Sequence, residues 1–382
     1  MDRENERIAH EGRKFNETER ITQQFLALAA LDSPSFSERA TADWLKRELQ
    51  ELGFAVTEDD AGSRLHGNAG NIYGFLKGTA EGEPVLLSAH MDTVLPAAGK
   101  VPVFYPDGKI TSRKDTVLGA DDICGIVEIL AGIRFVLENQ IPHRDIEVLF
   151  PVAEEVYIKG TNVFDFQKIK SKYAYVLDLG GPVGRAALQA PSIISFQLTV
   201  YGRAAHAGFE PENGIHAISL MSRGISALCQ GHLDADTTLN IGTILGGTGT
   251  NVVPEQCICR GEVRSYIHEK AQKALDNMKK SMEKSLEGTG AWLEVQTEVH
   301  MKAYKIEETE AVTANFQRAC RKIGLNPELT ATFGGSDNNN FVKNGIRGIV
   351  LSCGMYQVHS VEEYTTIEDL RLGSALVAEL VR

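Results

Sequence analysis

The sequence lacks several features that mark specialised classes of protein. It has only six cysteines in 382 residues, and none of them forms a CxxC pair. No apolar run approaches the ~20 residues that span a bilayer. The first twenty residues are polar and contain no apolar segment of the secretory type. We therefore expect a cytoplasmic protein with free, mostly buried thiols, rather than a membrane or disulfide-stapled one.

Positive charge is also in short supply. Lys plus Arg is 39 and Asp plus Glu is 51, so 39 − 51 gives a net charge of −12. This balance argues against nucleic acid or an anionic membrane as a partner, and it suits a protein that holds cations. The chain has no GxGxxG or GxxxxGK[ST] nucleotide motif and no GxSxG hydrolase motif. With 43% hydrophobic and 24% charged residues, its composition is that of a folded globular protein.

The first half of the chain alternates strand and helix patterns. Short apolar runs at residues 71–76, 84–88, 146–152 and 173–177 predict strands, and residues 121–137 predict an apolar helix. Strands that alternate with helices are typical of a mainly parallel sheet covered on both faces. We therefore predict an α/β domain with such a sheet.

The pattern changes near residue 188, which predicts a second domain. Its predicted elements follow the order β-α-β-β-α-β, the split-βαβ arrangement of a ferredoxin-like α+β domain. The α/β pattern then resumes after residue 300. We predict a discontinuous domain, residues 1–187 and 301–382, into which residues 188–300 are inserted.

Acidic and histidine side chains share one placement along the first domain. His90 with Asp92, Glu154 with Glu155, and Asp178 each follow a predicted strand, while Asp121 and Asp122 open a helix. Ligands of open α/β sheets bind beyond the carboxyl ends of the strands. Carboxylates gathered there would repel one another unless a cation lay between them. Mixed imidazole and carboxylate ligands favour zinc, with manganese or cobalt as substitutes.

Taken in order, these motifs resemble those of the M20 metallopeptidases, and most closely the peptidase T branch. The resemblance covers residue 20 to the C-terminus and rests on six segments: Leu87–Asp92, Gly119–Asp122, Glu154-Glu155, Asp178, Gly202–Gly208 and His359–Tyr364. It implies a catalytic domain with two zinc ions and an inserted lid domain that usually forms a homodimer. After Asp122 the family often has a lysine, whereas this chain has Ile123 and Cys124.

The resemblance also implies a role for each metal-binding residue. His90 and Asp178 would hold one metal, and Glu155 and His359 the other. Asp121 would bridge the two. The metals of such sites lie ~3.5–4 Å apart, a distance that one carboxylate can span.

Two further acidic residues would serve catalysis. Asp92 would orient the imidazole of His90. Glu154 would be the general base that takes a proton from water and passes it to the leaving amine.

Four residues of the later chain would contact the substrate. The resemblance makes His206 a donor to the oxyanion, in its own subunit or across the dimer, and assigns substrate binding to Asn251 and Arg264. The loop at Gly335 would line the pocket through its backbone. From the residues alone, His206 is a surface loop histidine, Arg264 a salt-bridged strand residue and the glycine loop a turn before a helix.

The sequence leaves the substrate open. The main hypothesis is an exopeptidase that releases the N-terminal residue of tripeptides. Relatives that act on dipeptides, C-terminal residues or N-acyl amino acids share the same motifs. A non-catalytic binding protein on this fold is the third hypothesis, and the intact set of ligands with Glu154 argues against it.

Overall fold

The structure, a computed structural model, describes residues 17–113 and 115–382. These residues form two compact units. The first comprises the described residues up to Leu188, together with Ile306–Ala331 and Ser336–Arg382, and the second comprises Gln189–Lys305 and Thr332–Gly335. No helix in the described ranges is both long and apolar enough to cross a membrane.

Helices and strands alternate through most of the chain. The helices are α1 (17–29), α2 (Arg39–Glu51), α3 (Ala61–Leu65), α4 (Ala120–Glu138), α5 (Lys159–Asn162), α6 (Ala217–Ser226), α7 (His268–Leu286), α8 (Ala311–Lys322), α9 (Asn338–Lys343) and α10 (Ile367–Leu380). The strands are β1 (Ala55–Glu58), β2 (Ile72–Leu76), β3 (Val85–Ser88), β4 (Pro102–Phe104), β5 (Lys109–Ser112), β6 (Ile146–Phe150), β7 (Tyr173–Leu179), β8 (Arg185–Ala190), β9 (Ser192–Tyr201), β10 (Gly231–His232), β11 (Thr237–Gly246), β12 (Gln256–Ser265), β13 (Trp292–Met301), β14 (Tyr304–Lys305), β15 (Glu328–Ala331), β16 (Arg347–Ser352) and β17 (Tyr364–Thr366).

The main sheet of the first unit has the order β1-β2-β6-β3-β7-β16-β8, and β15 pairs with β8. Its four middle strands, β6, β3, β7 and β16, run parallel to one another. Every residue of β3 and β6 is buried, because helices cover both faces of a sheet of this kind. The predicted α/β class with a mainly parallel sheet is confirmed.

Helix α4 is buried over most of its surface, as its apolar sequence predicts. It packs closely on α10, and the close approach depends on Gly132. A β-carbon at this position would lie 2.5 Å from the carbonyl oxygen of Ser374 and 2.7 Å from the β-carbon of Val377. No larger residue fits there without a shift of α10.

The second unit contains an antiparallel sheet of five strands in the order β10-β11-β12-β9-β13. With α6 after β9 and α7 after β12, it has the predicted ferredoxin-like topology, extended by β10 at one edge. Its core lies between the helices and the sheet, where Met221, Met278 and Met282 pack with Leu198 and Val200. The predicted α+β class of the inserted segment is confirmed.

Candidate metal centre

Three neighbouring parallel strands carry most of the candidate residues. β3 lies between β6 and β7. His90 follows β3 by two residues, Glu154 follows β6 by four, and Asp178 is the last residue but one of β7. Because the three strands run in the same direction, these side chains lie at the same edge of the sheet.

A first group of candidate metal ligands comprises His90, Asp121 and Asp178, whose ligand atoms all lie within 4.8 Å of one another. The Nε2 atom of His90 lies 3.0 Å from Oδ1 of Asp121 and 3.9 Å from Oδ1 of Asp178. Its Nδ1 lies 2.8 Å from the main-chain oxygen of Asp92. In the neutral imidazole the proton on Nδ1 is donated to that oxygen, which leaves the lone pair of Nε2 for a cation.

A second group shares one residue with the first. Asp121, Glu155 and His359 place their oxygen and nitrogen atoms within 4.8 Å of one another. Nε2 of His359 lies 3.2 Å from Oδ2 of Asp121 and 3.1 Å from Oε2 of Glu155. Asp121 thus directs one oxygen to each histidine, which is the arrangement that a bridging carboxylate needs.

The titration of these groups reflects concentrated negative charge. Burial disfavours the charged form of His90, but its hydrogen bonds to Asp121 and Asp92 outweigh burial and raise its pKa well above the usual value. Hydrogen bonds to Asp121 and Glu155 raise the pKa of His359 to about 11. The carboxylates therefore favour a positively charged group between them.

The pKa values of Glu154 and Asp178 also reflect the concentrated negative charge. Burial, reinforced by the charge of Asp178, raises the pKa of Glu154 well above its usual value. Burial, reinforced by Asp121, does the same for Asp178. A divalent cation would remove both penalties.

The residues fit such a cation. The Oε1 atom of Glu155 is buried and has no hydrogen-bond partner among the described residues, which is costly unless something else binds it. Two imidazole nitrogens and carboxylate oxygens form a ligand set that suits zinc.

The carboxylate of Asp92 holds the segment that carries Glu154. Its Oδ1 accepts the main-chain N–H of Glu154 at 2.9 Å, and its Oδ2 accepts that of Glu155 at 3.2 Å and the hydroxyl of Ser35 at 2.7 Å. Oδ1 lies 3.5 Å from Nδ1 of His90, farther than the main-chain oxygen. Asp92 therefore positions His90 through its backbone and the two glutamates through its side chain.

The sequence reasoning assigned no role to Glu363, although it lies within a quoted motif. Its buried carboxylate accepts the main-chain N–H groups of Gly119 at 2.6 Å and Asp121 at 3.0 Å. Nearby, the ammonium group of Lys100 is buried without a hydrogen-bond partner among the described residues. Burial lowers the pKa of Lys100 to about 8 against the attraction of Glu363. Only the position of Glu363 in that motif could have pointed to it.

Glu38 was missed, and Asp122 was named without a role. One oxygen of Glu38 accepts the main-chain N–H of Ala153 at 3.0 Å, just before Glu154. Asp122 accepts the main-chain N–H of His90 at 3.1 Å. Each buried carboxylate thus holds the backbone of a segment that carries a candidate ligand or base.

His206 and Asn251 lie together in the second unit. The main-chain N–H of Ala207 donates to the main-chain oxygen of Asn251 at 3.0 Å, and His206 forms a β-bridge with Val252. Both His206 and Asn251 are exposed. This pairing sets the conformation of the loop that carries the imidazole.

Arg264 and Gly335 lie on another part of the second unit. The guanidinium of Arg264 donates to Glu262 at 2.7 Å and to the main-chain oxygen of Phe333 at 2.9 Å. Gly335 is packed so tightly that a β-carbon would lie 2.0 Å from the sulfur of Met301. Arg264 thus contacts the segment that contains Gly335.

Known proteins are similar to this chain in sequence and in fold. Residues 189–289 match the peptidase dimerisation domain of M20 enzymes, and residues 71–235 match peptidase family M28. The aminopeptidase PepT of Bacillus cereus is 34% identical, covers 95% of this chain and 98% of its own, and superposes with a TM-score of 0.88. A tripeptidase of Staphylococcus aureus is 31% identical over 95% of this chain and 97% of its own, with a TM-score of 0.92.

The fold and its relatives define a metallopeptidase built from an α/β unit and a dimerisation unit. The uncharacterised protein YqjE of Bacillus subtilis is 35% identical over 95% of this chain and 97% of its own length. The chain belongs to the M20 peptidase family, and within it to the relatives of peptidase T.

Proposed function

We propose that the protein is an aminopeptidase with two zinc ions that releases the N-terminal residue of tripeptides. The observation that carries the proposal is the sharing of Asp121 between two groups of metal-binding atoms. The names of the Bacillus cereus and Staphylococcus aureus relatives support the choice of substrate.

In this proposal His90 and Asp178 would hold one ion, Glu155 and His359 would hold the other, and Asp121 would bind both. Cobalt or manganese could substitute for zinc. Bound cations of this kind polarise the scissile carbonyl and lower the pKa of water. The protein fixes the positions of the ligands, and the hydrogen bonds made by Asp92 and Glu363 contribute to this.

Glu154 is the general base of the proposed reaction. It takes a proton from the attacking water and delivers it to the amine that leaves when the peptide bond breaks. Two features support this role: its main-chain N–H is fixed by Asp92 at 2.9 Å, and burial raises its pKa above the ordinary value of a glutamate, which favours proton uptake from water.

The second unit supplies the proposed substrate contacts. His206 donates a hydrogen bond to the carbonyl oxygen of the scissile bond as it becomes negative. Asn251, Arg264 and the backbone at Gly335 bind the rest of the peptide, with Arg264 directed to its carboxylate. The match of residues 189–289 to a dimerisation domain supports a homodimer formed through this unit, and we place the protein in the cytoplasm.

Product analysis tests the substrate. Enzyme stripped of metal by a chelator would be given dipeptides, tripeptides and N-acetyl amino acids, with and without zinc, cobalt or manganese, and the products identified by mass. We expect metal-dependent release of one N-terminal residue from tripeptides. Metal-dependent cleavage of another class would retain the site and overturn the specificity. A folded protein without activity towards any of them would overturn the proposal.

A further inference from the structure

The loop that carries His206 contains an unusual concentration of contacts to one ring nitrogen. The Nδ1 atom of His206 accepts the main-chain N–H groups of Gly208 and Phe209, each at 3.1 Å. A main-chain N–H can only donate, so Nδ1 must offer its lone pair to both. The neutral imidazole of His206 therefore carries its proton on Nε2.

This assignment does not depend on an outside partner, because the loop is anchored within its own unit. Three main-chain hydrogen bonds anchor it. The N–H of Ala207 donates to the main-chain oxygen of Asn251 at 3.0 Å, and that of Val253 to the main-chain oxygen of Ala205 at 2.9 Å. The N–H of Glu210 donates to the main-chain oxygen of His206 at 3.2 Å. These bonds hold the turn in the shape that brings both N–H groups to Nδ1.

Phe209 closes the arrangement from one side. Its ring stacks on the imidazole of His206, with the ring centres 4.2 Å apart and the planes inclined by 20°. Phe209 is 85% exposed, so its ring has little packing besides this stack. The stack restricts rotation of the imidazole about its side-chain bonds and covers one of its faces.

We propose that Phe209 and the Gly208–Phe209 backbone are positioning elements that hold His206 as a neutral Nε2–H donor. The inference rests on the proposed function, in which this N–H binds the developing oxyanion. A donor fixed beforehand in the required tautomer stabilises the transition state without reorganising during the reaction.

Nuclear magnetic resonance tests the tautomer directly on the full, metal-loaded enzyme. Histidine would be labelled with ¹⁵N, the signals of His206 assigned by their loss in His206→Gln, and the spectra recorded well above the ordinary pKa of histidine. We expect an unprotonated, pyridine-like signal for Nδ1 and a protonated, pyrrole-like signal for Nε2. A protonated Nδ1, or an averaged mixture of tautomers, would overturn the proposal.

Kinetics of Phe209 variants test the stack. Phe209→Leu retains the backbone donor and removes the ring, so kcat should fall roughly two- to tenfold, the range of a single aromatic pair, while KM changes less. Phe209→Tyr should restore kcat, and Ile267→Ala, which shortens another exposed apolar side chain of this unit, should leave it unchanged.

The outcomes separate this inference from the proposed function. Equal kcat values for Phe209→Leu and Phe209→Tyr would overturn the role of the stack. A His206→Gln variant with normal kcat, together with the expected ¹⁵N signals, would overturn the oxyanion role and leave the tautomer assignment intact.

Discussion

Removal of the Glu363 carboxylate should destabilise the first unit severely. Its two oxygens accept the buried N–H groups of Gly119 and Asp121 at 2.6 and 3.0 Å. A buried donor that loses its acceptor costs about 1–3 kcal/mol. Lys100 would also lose the attraction of Glu363. Because two buried N–H groups lose their acceptor, we expect Glu363→Ala to lower the free energy of unfolding by about 2–5 kcal/mol.

The assay must report on the first unit alone. The chain has two tryptophans, Trp44 in α2 of the first unit and Trp292 in β13 of the second. In a Trp292→Phe background, fluorescence during urea unfolding follows Trp44 only. A chelator present throughout removes the contribution of bound metal. Glu362→Ala is the matched control, since Glu362 is the exposed neighbour.

The metal affinity of the same variants tests the position of Asp121. Because Glu363 fixes its main-chain N–H, Glu363→Ala should weaken metal binding by about 10- to 100-fold, as is usual for partners behind the ligands. Glu363→Gln retains one acceptor and should fall between Glu363→Ala and the unchanged protein. If Glu363→Ala and Glu362→Ala are equal within ~0.5 kcal/mol, the size of ordinary surface changes, the reasoning is refuted.

Three further predictions follow from other parts of the structure. Glu154→Gln should retain its metal while kcat falls by at least about 10²-fold, as loss of a general base requires; normal kcat in a metal-loaded sample would reject the assignment. Burial alone would raise the pKa of Glu58, but hydrogen bonds from Arg39, Gly70 and Lys46 together lower it to about 2. The contribution of Glu58 to stability is therefore complete above about pH 4.5 and is lost as the pH falls towards 2. In urea titrations across that range the stability difference between Glu58→Gln and the unchanged protein, on the order of 1 kcal/mol after solvent screening, should shrink, and a difference independent of pH would contradict this. Gly132→Ala should destabilise the protein by about 1–3 kcal/mol through overpacking against α10, although alanine favours helices; a higher Tm would contradict the packing argument.

Several candidate site residues could be predicted from sequence because the direction of the parallel strands determines where these residues lie. His90, Glu154 and Asp178 follow or end β3, β6 and β7, and parallel strands bring their carboxyl ends to one edge. Asp121 and His359 needed more, because neither follows one of these strands. Their assignment came from the resemblance to a family.

The supporting contacts could not be predicted in the same way. Glu363 lies 244 residues from Gly119, and no local pattern links a carboxylate to an N–H group so far along the chain. Glu38 and Ala153 are separated by 115 residues. Such bonds depend on the exact course of loops, which hydrophobic periodicity does not determine.

The most direct test of the account is a metal titration of the chelator-stripped protein, followed by calorimetry. We predict two tightly bound zinc ions per chain. His359→Ala should bind one, because the group of His90, Asp121 and Asp178 remains complete, and Glu154→Gln should bind two. A single ion in the unchanged protein, or two tightly bound ions in His359→Ala, would contradict the shared Asp121 site.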